Sequence, residues 1–257
     1  MTAAIWAELL KVRRSKMPWL TALAFTVAAA VGGLFMYIWQ DPARARSLGL
    51  LGAKAQLATA DADWPGFLAL LAQITAVGGL LIFGTIVIWV FGREFSDRTA
   101  KDLLALPTSR TAIVAAKFTV IGGWCLALTV QLFVLGLLIG AALGLPGWSA
   151  TAVGQSLARL LAIAALSVVL ASPFALAASA GRGYLPAVGA MFAVTFCTQI
   201  IAALGYGHLF AWSVPSLISG VAGPDQAPIG VVGYLGVGLI GAAGVAGTAA
   251  WWRNADQ

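Results

Sequence analysis

At 257 residues, with 61% hydrophobic side chains, only 9% charged, 30 glycines and a mean hydropathy of +0.94, the chain lies far outside soluble averages, which run to roughly 25% charged residues. Water-soluble folds are excluded, and membrane crossings absorb so much of the length that no separate soluble domain of ordinary size fits, so residues 1–257 read as one integral domain. The formal charge of +6 would point to nucleic acid in a soluble protein; here it is the basic surplus expected of loops that orient spans, and no nucleic-acid partner is expected.

The first expected element is an amphipathic helix over about residues 2–16. Within AAIWAELLKVRRSK, Ile5, Trp6, Leu9 and Leu10 fall on one side at i, i+3, i+4 spacing, while Glu8, Lys11 and Arg14 line another. This is the pattern of a helix lying in the headgroup region, where Arg13 and Arg14 favour anionic lipid. A plain tail whose charges only set topology is the competing reading. The apolar run that follows from Met17 exceeds a signal-peptide h-region and is retained as the first span.

Charge-free runs place the spans: Met17–Gln40, Trp64–Gly92, Phe118–Ala158, Leu160–Gly181, Gly183–Gly207 and Gln226–Trp252, each longer than the roughly 20 residues that cross a hydrocarbon core. The third run is too long for one crossing, so LGLPGWS at 143–149 ends its helix and the fourth begins near Gln155. Six transmembrane helices in an all-α fold follow, and the alternating ten-residue segments of a β-barrel are not seen. With the N-terminus inside, the cytoplasmic side holds eleven of the fifteen basic residues, and Arg44, Arg46, Lys54 and Arg159 lie opposite, which puts both termini in the cytoplasm. The external segment from Asp41 to Asp63 either caps the exit of a transport path or is a connector, with Leu48, Leu50, Leu51 and Leu57 able to rest on headgroups.

The densest charge lies between the second and third spans: GREFSDRTAKDLLALPTSR, residues 92–110, holds seven of the 24 charged residues. Ser96 and Thr99 are candidate N-caps for a short amphipathic helix carrying Leu103, Leu104 and Leu106. Pro107 ends it, and Thr108 or Ser109 can cap the third span. Orientation alone needs only positive charge, yet Glu94, Asp97 and Asp102 are here too, so either a docking surface or an ordinary solvated loop fits.

The stretch from Arg93 to Lys117 resembles the first cytoplasmic loop of ABC transporter permeases of the type-2 membrane-domain superfamily, whose relatives include bacitracin and lantibiotic export permeases. The matching residues are Arg93, Glu94, Thr99, Leu103, Leu104, Pro107, Ser109, Arg110 and Lys117, with Arg98 where the family often has Gly. The resemblance implies a coupling helix contacting a separate ATP-binding subunit through Arg93, Glu94, Asp97, Arg98, Thr99, Lys101, Asp102, Leu103 and Leu104, with Ile5, Trp6, Leu9, Leu10, Arg13 and Arg14 on the nearby interfacial helix. It further implies a bacterial cytoplasmic membrane, two ATP-binding subunits, and a second permease, the same or homologous. The chain itself has no GxxxxGK[ST] and no Gly-Lys dipeptide, so it is not expected to be an enzyme or to hold a cofactor; ATP and Mg would belong to the partner.

Other chemistry is thin. His208 is the lone histidine, and Cys125 and Cys197 both lie within expected spans, so neither a zincin nor a disulfide is expected. Gln73, Thr75, Gln131, Thr195, Thr198 and Gln199 are neutral polar residues of the kind that bond across helices. The absence of a mid-span Asp or Glu argues against a proton- or sodium-coupled carrier and points to a hydrophobic or amphipathic cargo. A secondary carrier or channel and a non-transporting scaffold remain the alternatives to an ATP-driven exporter. The glycine runs Gly136–Gly140–Gly144 and Gly230–Gly247 pack helices closely, within one chain or between two, and Pro173 marks a hinge or a fixed bend.

Overall fold

The computed structural model describes residues 2–47, 49, 61–104, 108–221 and 229–254. Leu48, Leu50, Leu51, Lys54 and Leu57 of the external segment, and Leu106 and Pro107 of the charged loop, lie outside them. Among the described residues the fold is all-helical. In chain order the helices are α1 (Thr2–Arg13), α2 (Met17–Gln40), α3 (Pro42–Ser47), α4 (Trp64–Ser96), α5 (Ala100–Leu104), α6 (Arg110–Ala142), α7 (Ala150–Ala180), α8 (Leu185–Ala203), α9 (Val214–Ser219) and α10 (Val231–Asn254). Two 3₁₀ turns, Gly207–Leu209 and Ala211–Ser213, precede α9. Six of these helices, α2, α4, α6, α7, α8 and α10, are long and apolar enough to cross a membrane.

The spans begin where side chains can satisfy the first free backbone amides. Asp63 accepts from the Gly66 amide at 2.8 Å, with Pro65 in the first turn, and Ser109 accepts from Ala112 at 3.3 Å, so of the two expected caps for the third span Ser109 serves. Ser149 caps α7 through Ala152 at 3.4 Å, which starts that helix at Ala150 rather than near Gln155. Polar Thr151 and the cap compete successfully with the hydropathy that had placed the boundary deeper. Ser96, expected as a cap, is instead the last residue of α4, whose helix outlasts its apolar run by four residues.

Helix α7 is the axis of the bundle, flanked by α4 on one side and α10 on the other. Its contact with α10 is made at glycines. A Cβ at Gly244 would meet Ser172 Oγ and would lie 2.7 Å from the Pro173 nitrogen, while one at Gly241 would strike Val169. Pro173 lacks the amide that would have bonded Val169 O; the Ser172 hydroxyl donates to that carbonyl at 2.7 Å and to Gly241 O at 3.2 Å. The freed backbone group is thus satisfied inside the α7–α10 crossing. On the other glycine run, Cβ atoms at Gly136 and Gly140 would strike Leu71 and Trp64 of α4. Gly136, Gly140, Gly241 and Gly244 therefore pack against helices of the same chain.

Gln131 of α6 reaches α2, donating to Ala22 O and Thr26 Oγ1 at 3.0 Å each. At the far end of the bundle Gln40 donates to Leu143 O at 3.1 Å, and Arg159 donates to the α9 carbonyl of Ile218. Cys125 is buried and Cys197 exposed, both free.

Replacing Gly244 by Ala should destabilise the protein by about 1–3 kcal/mol, because the added methyl meets backbone on α7 and not a movable side-chain tip. Gly238, with nothing within 4 Å of its notional Cβ, is the matched control: in thermal unfolding of the detergent-solubilised protein, Gly238→Ala should be neutral or stabilising by up to about 1 kcal/mol.

Candidate functional site

The end of the bundle that carries α1, the loop between α4 and α6, and the last turn of α10 is built around charge. Glu94 lies in the last turn of α4, and α6 starts two turns before Lys117, so the antiparallel pair brings the two side chains level. Lys117 Nζ donates to Glu94 Oε1 at 2.7 Å, to Glu8 Oε2 at 3.0 Å and to Val90 O at 3.2 Å, which uses all three ammonium donors. Lys11 Nζ donates to Glu94 Oε1 at 2.6 Å and to Glu8 Oε1 at 2.9 Å. The four groups close an alternating ring, Glu8, Lys11, Glu94, Lys117 and back to Glu8, with a charged contact along each edge. The ring is electrically neutral, and Glu8, Glu94 and Lys117 are 4%, 1% and 0% exposed.

Neutrality and full hydrogen bonding are what allow charges to sit here at all, since an unpaired buried charge costs several kcal/mol. At Lys11 burial works against the ammonium, but the Glu8 and Glu94 carboxylates outweigh it and hold its pKa above the ordinary lysine value. Phe91 lies 5.8 Å from Lys117 Nζ, and Phe91, Phe95, Phe118, Trp251 and Trp252 form an aromatic layer behind the ring. That layer is anchored twice. Trp252 Nε1 donates to Ser179 Oγ at 3.0 Å, and Arg110 caps the end of α10 by donating to Trp252 O at 3.2 Å and Arg253 O at 2.9 Å.

The loop is joined to the ring through Thr99. This residue immediately precedes α5, where an N-cap was expected, and its hydroxyl turns back to donate to Glu94 Oε2 at 2.7 Å. Glu94 thereby binds α1, α6 and the loop with one carboxylate. Leu103 packs half-buried on the core. Asp97, Arg98, Lys101 and Asp102 are exposed. Arg93 is half-buried and is not a member of the ring, its guanidinium carbon 4.6 Å from the centre of the Trp89 ring and its Nε 3.8 Å from Asp97. The side chain of Leu104 lies outside the described residues. Arg98 has φ +59°, the left-handed region in which glycine is at ease, which accounts physically for a position where a glycine would be the simpler choice.

The one buried residue of α1 among those described is an acid. Glu8 is buried against the bundle, while Trp6 and Leu9 face outward with Arg13 and Arg14, and Ile5 and Leu10 are half-buried. Sequence reasoning gave Glu94 a coupling role, set Glu8 on the polar side of α1 and matched Lys117 to the loop motif, without bringing the three together. Two signals were available. Glu8 is the one acidic residue among the first forty, and acids do little to orient a span. Lys117 has only Ile113, Val114, Val120 and Ile121 at helical spacing, so its partner had to come from another element.

A six-span helical bundle with a charged loop helix at one end is the form of a multi-pass transporter subunit, and the chain belongs to the ABC-2 family transporter proteins, whose model matches residues 4–198. That match takes in α1, the ring, the loop and most of α8. The chain is 26% identical over 179 residues to bacitracin transport permease protein BCRB of Bacillus licheniformis, across 69% of this chain and 85% of that protein. It is a permease subunit of the ABC-2 type, a non-enzymatic membrane component whose family membership implies an ABC-type ATP-binding partner.

Lys117→Met should cost about 3–5 kcal/mol, because it leaves two buried carboxylates sharing one ammonium; the fall is to be read from thermal unfolding in detergent. Arg98→Gly should raise stability by up to about 1 kcal/mol. Removing a left-handed side chain returns roughly 1–2 kcal/mol, and the added unfolded-state freedom of glycine takes back about 0.5–1 kcal/mol.

Proposed function

We propose that this chain is the permease subunit of an ATP-driven exporter in a bacterial cytoplasmic membrane, with the ring end of the bundle facing the cytoplasm. Its cargo is hydrophobic or amphipathic: a peptide antibiotic, a drug or a lipid-like molecule, in keeping with the bacitracin transport named for its relative. Two permeases, identical or homologous, form the pathway, and two ATP-binding subunits holding ATP and Mg drive it. Eleven of the fifteen basic residues on one side support the orientation, and the absence of an acidic residue at mid-span supports an apolar route.

The observation that carries this reading is the division of labour at the loop. Asp97, Arg98, Lys101 and Asp102 offer exposed charges of both signs to a partner surface, where paired charges set register. Beneath them Thr99, Glu94 and Leu103 connect the same loop to the bundle. A force applied to the exposed side therefore reaches α1 through Lys11, and α6 through Lys117. The role of Glu94 is transmission, and contact with the ATP-binding subunit falls to the residues above it. The outward Trp6, Leu9, Arg13 and Arg14 of α1 rest in the headgroup layer against membrane lipid.

The test is affinity purification of the tagged chain from its native membrane with an ATPase assay on what accompanies it. An ABC-type ATPase subunit should co-purify stoichiometrically. Lys101→Ala/Asp102→Ala should reduce the retained subunit at least tenfold. Glu94→Ala should keep the subunit bound while abolishing cargo stimulation of its ATPase. A chain that purifies alone under gentle detergent would favour a secondary carrier, a channel or a scaffold instead.

A further inference from the structure

The ring divides into two halves, each neutral by itself. Glu8 and Lys11 pair within α1 at 2.9 Å, and Glu94 and Lys117 pair within the α4–α6 hairpin at 2.7 Å. The remaining two edges, Lys11–Glu94 at 2.6 Å and Lys117–Glu8 at 3.0 Å, join α1 to the bundle. Glu8 is also the only buried residue of α1 among those described. The large apolar side chains Trp6 and Leu9 are 63% and 41% exposed on the opposite face. A helix that docks by apolar burial hides its hydrophobic stripe; this one buries Glu8, keeps Lys11, Ile5 and Leu10 half-buried, and turns Trp6 and Leu9 away from the protein.

From this we infer that α1 is a charge-latched helix, which docks and undocks as a unit by exchanging ion pairs, with Glu8, Lys11 and Lys117 as positioning residues for the coupling loop. On leaving, α1 keeps its own Glu8–Lys11 pair and strands no charge behind it, because Glu94 and Lys117 retain each other. Trp6 and Leu9 hold the released helix to the lipid surface. The trigger lies at Glu94, which carries two of the four edges on one oxygen while Thr99 holds the other oxygen at 2.7 Å. Displacement of the loop moves that carboxylate and loosens the Lys11 edge. The trigger rests on the coupling role proposed above; the latch itself does not.

The experiment reverses the α1 pair. Glu8→Lys/Lys11→Glu preserves an oppositely charged pair within α1 and leaves the bundle pair intact, but makes both joining edges like-charged. Adding Glu94→Lys/Lys117→Glu restores the alternation all round. The readout is the distance distribution between spin labels at Arg13→Cys and Arg253→Cys, both exposed positions, on a Cys197→Ser background of the full chain in lipid nanodiscs. The wild-type ring should give one narrow docked distance. The reversed pair should shift the docked-to-free ratio at least tenfold toward a longer, broader distribution, and the fourfold variant should return it to the docked distance.

Should the reversed pair fail to fold, Glu8→Gln/Lys11→Met leaves the bundle pair untouched and should release α1 by itself. A docked distance unchanged in the reversed or neutralised variant would overturn the latch, as would a folded fourfold variant that stays undocked. These distances need no ATP-binding subunit, so the latch can stand even if purification finds no ATPase and the transport reading falls.

Discussion

Two glutamates and a lysine have been buried at one end of this bundle beside a second, half-buried lysine, and they can remain there only in alternation. Bringing like charges together, or leaving one unmatched, costs several kcal/mol in an environment that offers few other partners. The constraint is geometric as well as electrostatic. Lys117 is satisfied only if α6 begins two turns earlier, at the Ser109 cap. Glu94 is satisfied only if α4 runs past its apolar stretch and the chain then turns sharply at Arg98 to bring Thr99 back. The left-handed Arg98 is therefore a consequence of the ring, a local backbone cost accepted because the Thr99 hydroxyl must reach a buried carboxylate.

The rest of the bundle is held by a different physics. Along α7, contacts with α10 depend on glycine allowing backbones to approach. Such contacts are stiff, since a side chain added at Gly244 meets main chain. The Pro173 carbonyl gap is closed by Ser172 within the same crossing. The two systems meet at Trp252, which is buried between Phe91 beside the ring and Ser179 on α7. The charged end and the glycine-packed block thus share one buried side chain.

Much of this was legible in the residues. The number of spans and most of their limits follow from charge-free runs, because hydrocarbon excludes ionisable groups over a fixed thickness. The Ser109 cap was readable from local chemistry, as was the crowding of charge at 92–110. The direction in which α1 faces was not. A helical wheel shows that Glu8 and Lys11 oppose Trp6 and Leu9, and is silent on which side meets the protein; the usual assumption of apolar burial would choose wrongly. The start of α7 was missed because hydropathy sees bulk polarity and not one serine oxygen accepting one amide. The ring was missed because its members are separated by up to 109 residues, and pairing at that separation is a property of the fold.

A buried ion pair is a weak source of stability, since well-packed apolar side chains of the same volume often do as well or better. In a chain with 61% hydrophobic residues, apolar replacements would be the simplest material for this corner. What apolar surfaces supply poorly is a single register. Two greasy helices slipped by a turn still bury most of what they buried before. A ring of four alternating charges slipped by a turn faces like against like or opens onto hydrocarbon. The ring therefore specifies one position of α1 against α6 and one position of Thr99 against Glu94, and it does so with groups whose attraction can be exchanged edge by edge. Specificity of place combined with ease of exchange is what a mechanical link at a membrane surface requires, and it is the combination an apolar contact of equal area would lack.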